Sequence, residues 1–267
     1  MDKREGKFPK SSLGPLYFII ILTILFTVWH FAALAINRDI VLPNFEATMR
    51  QFFRNWMFWE DGRVMSGLLV TLNRVVRGFG IAIALGLPLG IIMGYSRVIR
   101  DVLSPFMNSI RQVPVMAWIP LALVWFGMGD GPSLFIIAIS SIFPIMLNTI
   151  AGVIGIDPNH INAAKSMGAS MPKVFITIVL PSALPNFLVG ARLGMGLAWM
   201  SVICAEFVAT NEGFGFLLIN SQQGFQFAML YSLVLMSAVV GFAMDLLMRL
   251  IERLLTSWRF KNAAENR

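Results

Sequence analysis

The sequence predicts an all-α membrane protein, a polytopic bundle of about six transmembrane helices. Hydrophobic residues make up 57% of the chain and charged residues only 13%, with a mean hydropathy of +0.74. A soluble domain normally carries about twice that charged fraction. The charged residues also fall at the ends of long apolar blocks, where helices leave a bilayer. Helices rather than strands are expected, because lipid offers the backbone no partner and the sequence lacks the alternation of a barrel.

The spans are bounded by charge-free intervals, such as those from Lys10 to Arg38 and from Arg77 to Arg97. Each interval can hold a helix of about 20 residues, which crosses about 30 Å of hydrocarbon. The predicted spans are 14–36, 69–94, 104–126, 132–153, 187–209 and 228–250.

Net charge, cysteine content and the absence of catalytic motifs exclude several other kinds of protein. The formal charge of +7 does not form a basic, aromatic-interleaved face, so nucleic-acid binding is not predicted. The single cysteine, Cys204, lies in an apolar run and can form no disulfide within the chain. The sequence also lacks a phosphate-binding GxxxxGK[ST] loop and any GxSxG or HExxH motif, and no histidine has companions at metal-ligand spacing. The chain is therefore predicted not to be an enzyme and to bind no cofactor or metal of its own.

The first apolar run, residues 13–36, has two interpretations. It follows a basic N-terminus as a signal peptide does, but its length favours an uncleaved first helix. With the N-terminus inside, the short loops that carry Lys and Arg lie on the cytoplasmic side. Segment 37–68 departs from this rule, and its mixed charges and aromatic residues, among them Phe52, Trp56 and Trp59, predict an amphipathic helix at the membrane interface.

Prolines interrupt three neighbouring spans, at Pro88, at Pro114 and Pro120, and at Pro144. Such helices can line a changing cavity, although prolines are also generally commoner in membrane helices. Polar residues close to these breaks favour a polar pathway. The candidate pathway-lining residues are Asn108, Arg111, Gln112, Ser141, Asn148, Arg192 and Glu206. Of these, Arg111 and Arg192 could attract an anion or meet lipid phosphates, and Glu206 is expected to pair with an arginine.

Residues 157–185, between the fourth and fifth predicted spans, carry the clearest functional signal. Asp157 and Pro158 are typical of a helix N-terminus, and Gly168 can end that helix in a left-handed conformation. Ser170 is predicted to cap a second helix. The product is a helix–turn–helix with a small-residue face on which another protein can dock.

This segment resembles the loop E-A-A-x3-G-x9-I-x-L-P of bacterial binding-protein-dependent ABC importer permeases. The chain reads Asn162-Ala163-Ala164, three residues, Gly168, nine residues and then Ile178-Val179-Leu180-Pro181. Further similarity over residues 65–260, including Thr71-Leu72-Asn73-Arg74, points to the nitrate/sulfonate/taurine/bicarbonate subgroup. The departure is Asn162, where the family usually has Glu, so no salt bridge to the ATPase is predicted from this position.

The resemblance implies a type I importer fold with a permease core at 65–256, an N-terminal block at 1–64 and a cytoplasmic tail at 257–267. It also implies a homodimer in the bacterial inner membrane, two cytoplasmic ATPase subunits that bind ATP and Mg, and an external solute-binding protein. The ATPase-coupling residues would be Asn162, Ala163, Ala164, Gly168, Ala169 and Ser170. The expected solute is a small anion. The rival hypothesis, a self-sufficient secondary transporter or channel, would require inverted repeats or a charged residue at the bilayer midplane, and neither is visible.

Overall fold

The computed structural model describes residues 14–56 and 62–256, and every regular element in these two ranges is helical. They include a 3₁₀ turn (Val115–Trp118) and a π-helical segment (Phe175–Val179). The α-helices of the described residues are α1 (Gly14–Ile36), α2 (Phe45–Trp56), α3 (Gly62–Tyr95), α4 (Arg97–Gln112), α5 (Ile119–Phe126), α6 (Asp130–Ile154), α7 (Pro158–Ser166), α8 (Met171–Val174), α9 (Leu180–Ala209), α10 (Phe214–Gln223) and α11 (Phe227–Leu255).

Five of the predicted spans are confirmed as single long helices. They are α1, α3, α6, α9 and α11, and each contains a window apolar enough to cross a membrane. The end of the bundle where α6 stops and α7 starts is called the α7 end below. At the other end, the α10 end, the N–H of Gly129 just before α6 donates to the carbonyl of Ala209 at the close of α9, at 2.9 Å.

The span predicted over 104–126, with prolines that bend it, is present as two helices that meet at a sharp break. Helices α4 and α5 meet at a bend of 90°. If the two helices together are counted as one broken span, this pair is the sixth candidate span of the described residues. The break lies at Pro114, which has no N–H to donate and forces the preceding Val113 out of the helical region, to φ −70° and ψ 123°. None of the described residues of α4 is buried, so this helix lies on the outside of the fold.

Segment 37–68 contains the predicted amphipathic helix, as α2. Its inner face packs on α11, where the buried Asn55 side chain donates to the Ser232 hydroxyl at 2.8 Å. Phe52 and Trp56 pack against the main core, whereas Phe53 remains 61% exposed. Trp59, together with the tails at 1–13 and 257–267, lies outside the described residues.

The centre of the fold is a layer of three helices, with α6 packed between α3 and α9. Glycines allow these backbones to approach closely, as is typical of membrane helices. In α3, Gly90 lies so near α6 that a Cβ would be 2.6 Å from the Thr149 Cβ and 2.8 Å from the Met146 carbonyl oxygen. In α9, a Cβ on Gly190 would lie 2.6 Å from the Pro144 carbonyl oxygen. The two long helices beside α6 are therefore held at backbone-to-backbone distance.

The close approach of α3 and α6 makes Gly90 intolerant of a side chain. Gly90→Ala is expected to destabilise the fold by about 1–3 kcal/mol, because the added methyl overlaps a packed side chain and a carbonyl. Gly80→Ala is the matched control on the same helix, since a Cβ there meets nothing within 4 Å. That control should be neutral or stabilising by up to about 1 kcal/mol, because Ala favours a helix over Gly. Thermal unfolding of the two variants in detergent measures the difference, and equal midpoints would contradict the packing.

Candidate functional sites

Residues 157–185 are called the coupling loop below, after the role that the sequence predicts for them. The first helix of this loop begins and ends as predicted. The Asp157 carboxylate accepts the Asn159 N–H at 2.9 Å, and Pro158 occupies the first helical position. At the other end, Gly168 has φ +81°. The N–H of Gly168 donates to the Lys165 carbonyl at 2.9 Å, and that of Ala169 donates to the Ala164 carbonyl at 3.0 Å. These two bonds form a complete Schellman motif, which requires a left-handed residue at this position.

The second predicted helix differs from the expectation. Ser170 stands at the N-cap of α8, and its carbonyl accepts the Val174 N–H at 3.0 Å, but its side chain makes no capping bond. The predicted N-cap position is therefore confirmed, but the side-chain hydrogen bond of a cap is not formed. One reason is local: Pro172, in the first turn, has no N–H to offer to the hydroxyl. The helix is also only four residues long and widens into the π segment before α9 continues.

The surface of the coupling loop is formed mainly by small residues. Asn162, Ala163 and Ser170 are exposed, and Ala164 and Ala169 are partly buried. Between them Met167 is 87% exposed at the tip of the loop, a residue that sequence reasoning did not select. The sequence signal that could have identified Met167 is its position as an apolar residue at the C-cap of a mainly polar helix. The tip thus offers one large apolar side chain surrounded by small ones, a shape that can enter a cleft on another protein.

Two of the predicted pathway residues face one cavity. Arg111 of α4 and Asn148 of α6 both line a cavity of about 360 Å³, together with Trp118 and Pro144. Ser140 lines it as well, and its hydroxyl lies 2.9 Å from that of Ser201 on α9. The described residues that line this cavity include no acidic side chain. Arg111 has no ion-pair partner among the described residues, so the cavity contains an uncompensated positive charge.

The other predicted pathway residues are not brought to this cavity. Asn108 and Gln112 lie on the exposed helix α4. Ser141 is buried and donates to the Gly194 carbonyl at 3.0 Å, a bond that joins α6 to α9. Arg192 pairs with Glu252 of α11 at 3.3 Å. Glu206 is fully buried near the α10 end, where it belongs to a different cluster.

That cluster centres on Arg74 of α3, which is 2% exposed. Its guanidinium lies 2.8 Å from the Glu206 carboxylate and 2.7 Å from the Asp130 carboxylate at the start of α6. It also contacts the Glu212 side chain at 3.1 Å and donates to the Glu212 carbonyl at 3.0 Å. One arginine therefore joins α3, α6, α9 and the α9–α10 connection. The expectation that Glu206 pairs with an arginine is confirmed.

Backbone and hydroxyl groups complete the pairing of Glu206. Gly215 N–H donates to its carboxylate at 2.8 Å, and the Thr71 hydroxyl lies 2.8 and 2.9 Å from its two oxygens. Thr71 in turn accepts the Phe214 N–H at 2.7 Å. Gly213 has φ +111°, and a Cβ there would lie 2.5 Å from a Glu206 oxygen. Arg74 was missed as a site residue, although it belongs to the Thr71-Leu72-Asn73-Arg74 run on which the resemblance partly rests.

Comparison with known proteins agrees with this geometry. Residues 86–257 match the family of binding-protein-dependent transport system inner membrane components. A putative ABC transporter permease of Methanocaldococcus jannaschii is 33% identical, with 97% of this chain and 98% of that protein covered. The taurine transport system permease protein TauC of Escherichia coli is 30% identical, with 89% and 87% covered. The bicarbonate transport system permease protein CmpB of Synechococcus elongatus is 31% identical, with 77% and 70% covered.

Solved structures share the fold. The MetNI methionine ABC transporter in an inward-facing conformation superposes with a TM-score of 0.62 at 19% identity, with 73% of this chain and 96% of that chain covered. An amino acid ABC transporter crystallised with histidines gives a TM-score of 0.59 at 21% identity, with 72% and 94% covered. This chain therefore belongs to the binding-protein-dependent transport system inner membrane components, the multi-span permease subunits of ABC importers.

Proposed function

We propose that two copies of this chain form the membrane pathway of an ATP-driven importer for a small anion of the taurine, sulfonate or bicarbonate class. Two cytoplasmic ATPase subunits, which bind ATP and Mg, dock on the coupling loops, and an external protein delivers the solute at the α10 end. The observation that carries the proposal is the coupling loop itself. It presents Met167 and a small-residue surface at one end of the bundle, in a sequence with no nucleotide-binding motif.

The connections of the coupling loop support a lever-like mechanism. Helix α7 follows α6 after only three residues, and α8 continues through the π segment into α9. Since α6 and α9 are packed at backbone distance, a force on α7 reaches both helices and, through α6, also α3. Closure of the ATPases would thus shift the core helices as a unit between inward- and outward-facing states.

The anion class is supported by the cavity and by the relatives. Arg111 provides a positive charge in a cavity whose described lining contains no carboxylate. Relatives at 30% and 31% identity are named as permeases for taurine and for bicarbonate, both of which carry an anionic group. The self-sufficient transporter has no comparable support, because the two charged residues that are buried among the described core helices, Arg74 and Glu206, are paired with each other at the α10 end.

The orientation completes the proposal, with the α7 end and both termini in the cytoplasm. The described connections at the α10 end after α5 and after α9 contain no Lys or Arg, whereas Arg97, Arg100, Lys165 and Lys173 lie at the α7 end. This is the distribution of the positive-inside rule. In a Cys204→Ser background, a cysteine at Ser170 should react only with a permeant reagent in intact cells, and one at Asn211 with an impermeant reagent. Labelling of both from the same side would contradict the orientation.

Reconstituted transport tests the function. Proteoliposomes holding the chain with its co-purifying ATPase and matching solute-binding protein should accumulate labelled taurine, an alkanesulfonate or bicarbonate. Accumulation should require ATP and all three components, because the chain has no nucleotide motif of its own. An ATPase variant unable to hydrolyse ATP is the control. Gradient-driven uptake by the chain alone would favour the self-sufficient transporter instead.

A further inference from the structure

A groove at the α7 end is not used by the proposed docking or by the candidate pathway. It has a volume of about 440 Å³. One wall is formed by the end of α3 and the start of α4, and the other wall is formed by α8 and the π segment. Its lining is aliphatic and aromatic, and apart from Tyr95 the one side-chain hydroxyl is that of Ser96. Ile92 and Ile176 on opposite walls are 46% and 62% exposed. Such an apolar surface needs an apolar occupant.

The depth of the groove indicates what that occupant is. Arg77, which pairs with Asp130 at 2.8 Å, marks the level of the α10 end on α3. Tyr95 follows Arg77 by 18 helical residues, a rise of about 27 Å, which is close to the roughly 30 Å thickness of the hydrocarbon. Tyr95 therefore stands at the boundary between acyl chains and headgroups on the α7 side, as tyrosines often do. A groove at this depth lies beside the lipid acyl chains, which supply the apolar occupant.

The residues beside the groove are basic. Lys173 stands between the lining residues Pro172 and Val174, is exposed and has no ion-pair partner among the described residues. Arg97 follows the lining residue Ser96, is 86% exposed and has only a loose contact with Asp101, at 3.7 Å. Arg100 donates to the carbonyls of Met93 and Gly94 and so holds the end of α3 in place. Asp101 is the one acidic residue of this group, which leaves a positive balance at headgroup depth.

We propose that this groove is a binding site for an anionic phospholipid of the leaflet on the α7 side. One acyl chain occupies the groove, and the headgroup phosphate is held by Lys173 and Arg97. Basic residues near an anionic membrane surface each favour such binding. The site is independent of ATP and of the transported solute. It rests on the proposed function only in that the α8 wall belongs to the coupling loop, so that a bound lipid would contact the moving segment.

Photolabelling tests the site without any transport assay. The full chain is placed in nanodiscs with a phosphatidylglycerol analogue carrying a diazirine in its acyl chain, and the labelled peptides are mapped by mass spectrometry. Label is expected in residues 91–99 and 171–179. A phosphatidylcholine analogue with the same diazirine-bearing acyl chain has no net negative charge. It should label these peptides less, by about fivefold for each basic residue that attracts the anionic lipid. Equal labelling by both lipids would reduce the groove to ordinary lipid contact and overturn the proposal.

Charge variants locate the headgroup. Lys173→Gln should lower phosphatidylglycerol labelling of the groove about fivefold, and addition of Arg97→Gln should lower it further. Lys173→Arg should retain it, which separates loss of charge from loss of fold. The matched control is Lys165→Gln, which removes the same charge from exposed α7, away from the groove lining. Equal losses for Lys165→Gln and Lys173→Gln would assign the effect to general surface charge and contradict the site.

Discussion

Replacing Ala164 by Arg is expected to abolish ATP-driven uptake while the chain still folds and inserts. Arg is a good helix former, and the Ala164 carbonyl that accepts the Ala169 N–H is unaffected by the side chain. The partly buried side chain lies beside the exposed Met167 tip, so an arginine here would place bulk and an unpaired charge in the docked surface. An unpaired charge at a buried interface costs several kcal/mol, and about 3 kcal/mol weakens binding roughly 100-fold. Co-purification of the ATPase and uptake in proteoliposomes measure the loss.

The matched control is Asn162→Ala on the same helix. Asn162 is exposed and neutral, so its contact with the ATPase should be worth about 0.5–1.5 kcal/mol, which lowers affinity by less than about 15-fold. Asn162→Glu, which restores the residue usual in the family, should be tolerated where the ATPase keeps a basic residue opposite. An inactive Asn162→Ala beside a nearly normal Ala164→Arg would show that the opposite face of α7 docks.

Arg74→Met is expected to have the largest effect on stability. The change leaves Glu206, which is fully buried, with only the Thr71 hydroxyl and the Gly215 N–H. It also removes the arginine partner of Glu212 and one of the two arginine partners of Asp130. Removal of one partner from a buried ion pair typically costs about 3–5 kcal/mol. Thermal unfolding of the purified chain should show a large drop in midpoint. Uptake should be abolished too, because the α9–α10 connection is then no longer attached to α3.

Arg77→Met provides the comparison, since Arg77 binds the other oxygen of Asp130 but is half exposed. Exposed pairs contribute about 0–1 kcal/mol, so this variant should be nearly as stable as the parent. In Arg74→Met combined with Glu206→Gln, part of the loss should be recovered, because no buried charge is then left without a partner. Equal destabilisation by Arg74→Met and Arg77→Met would contradict the central position of Arg74.

Signals that act within a few residues of one another were readable before the fold was known. Asp157 caps α7 and Gly168 closes it because both depend on bonds between neighbours in the chain. Five spans could be predicted from the length of their apolar runs alone, because each run is long enough to cross the hydrocarbon of a bilayer. The span over 104–126 differs from the prediction for an equally local reason: Pro114 was expected to bend the helix axis, and it breaks the helix instead.

What only the tertiary structure decided are the relations between distant residues. Charge-free intervals placed Glu206 near the outer end of its span, yet its partners Thr71 and Arg74 come from α3 and Gly215 comes from α10. Candidates chosen by polarity were divided in the same way: Arg111 and Asn148 share a cavity, whereas Ser141 joins two helices. The packing role of the glycines of α3 and α9 became visible only with the backbones opposite them. Hydropathy determines which segments enter the bilayer, because transfer from water depends on each residue's own surface. Which helices then pack together inside the bilayer depends on the fit of their surfaces and on the pairing of buried polar groups. Both depend on two helices together and cannot be read from one segment.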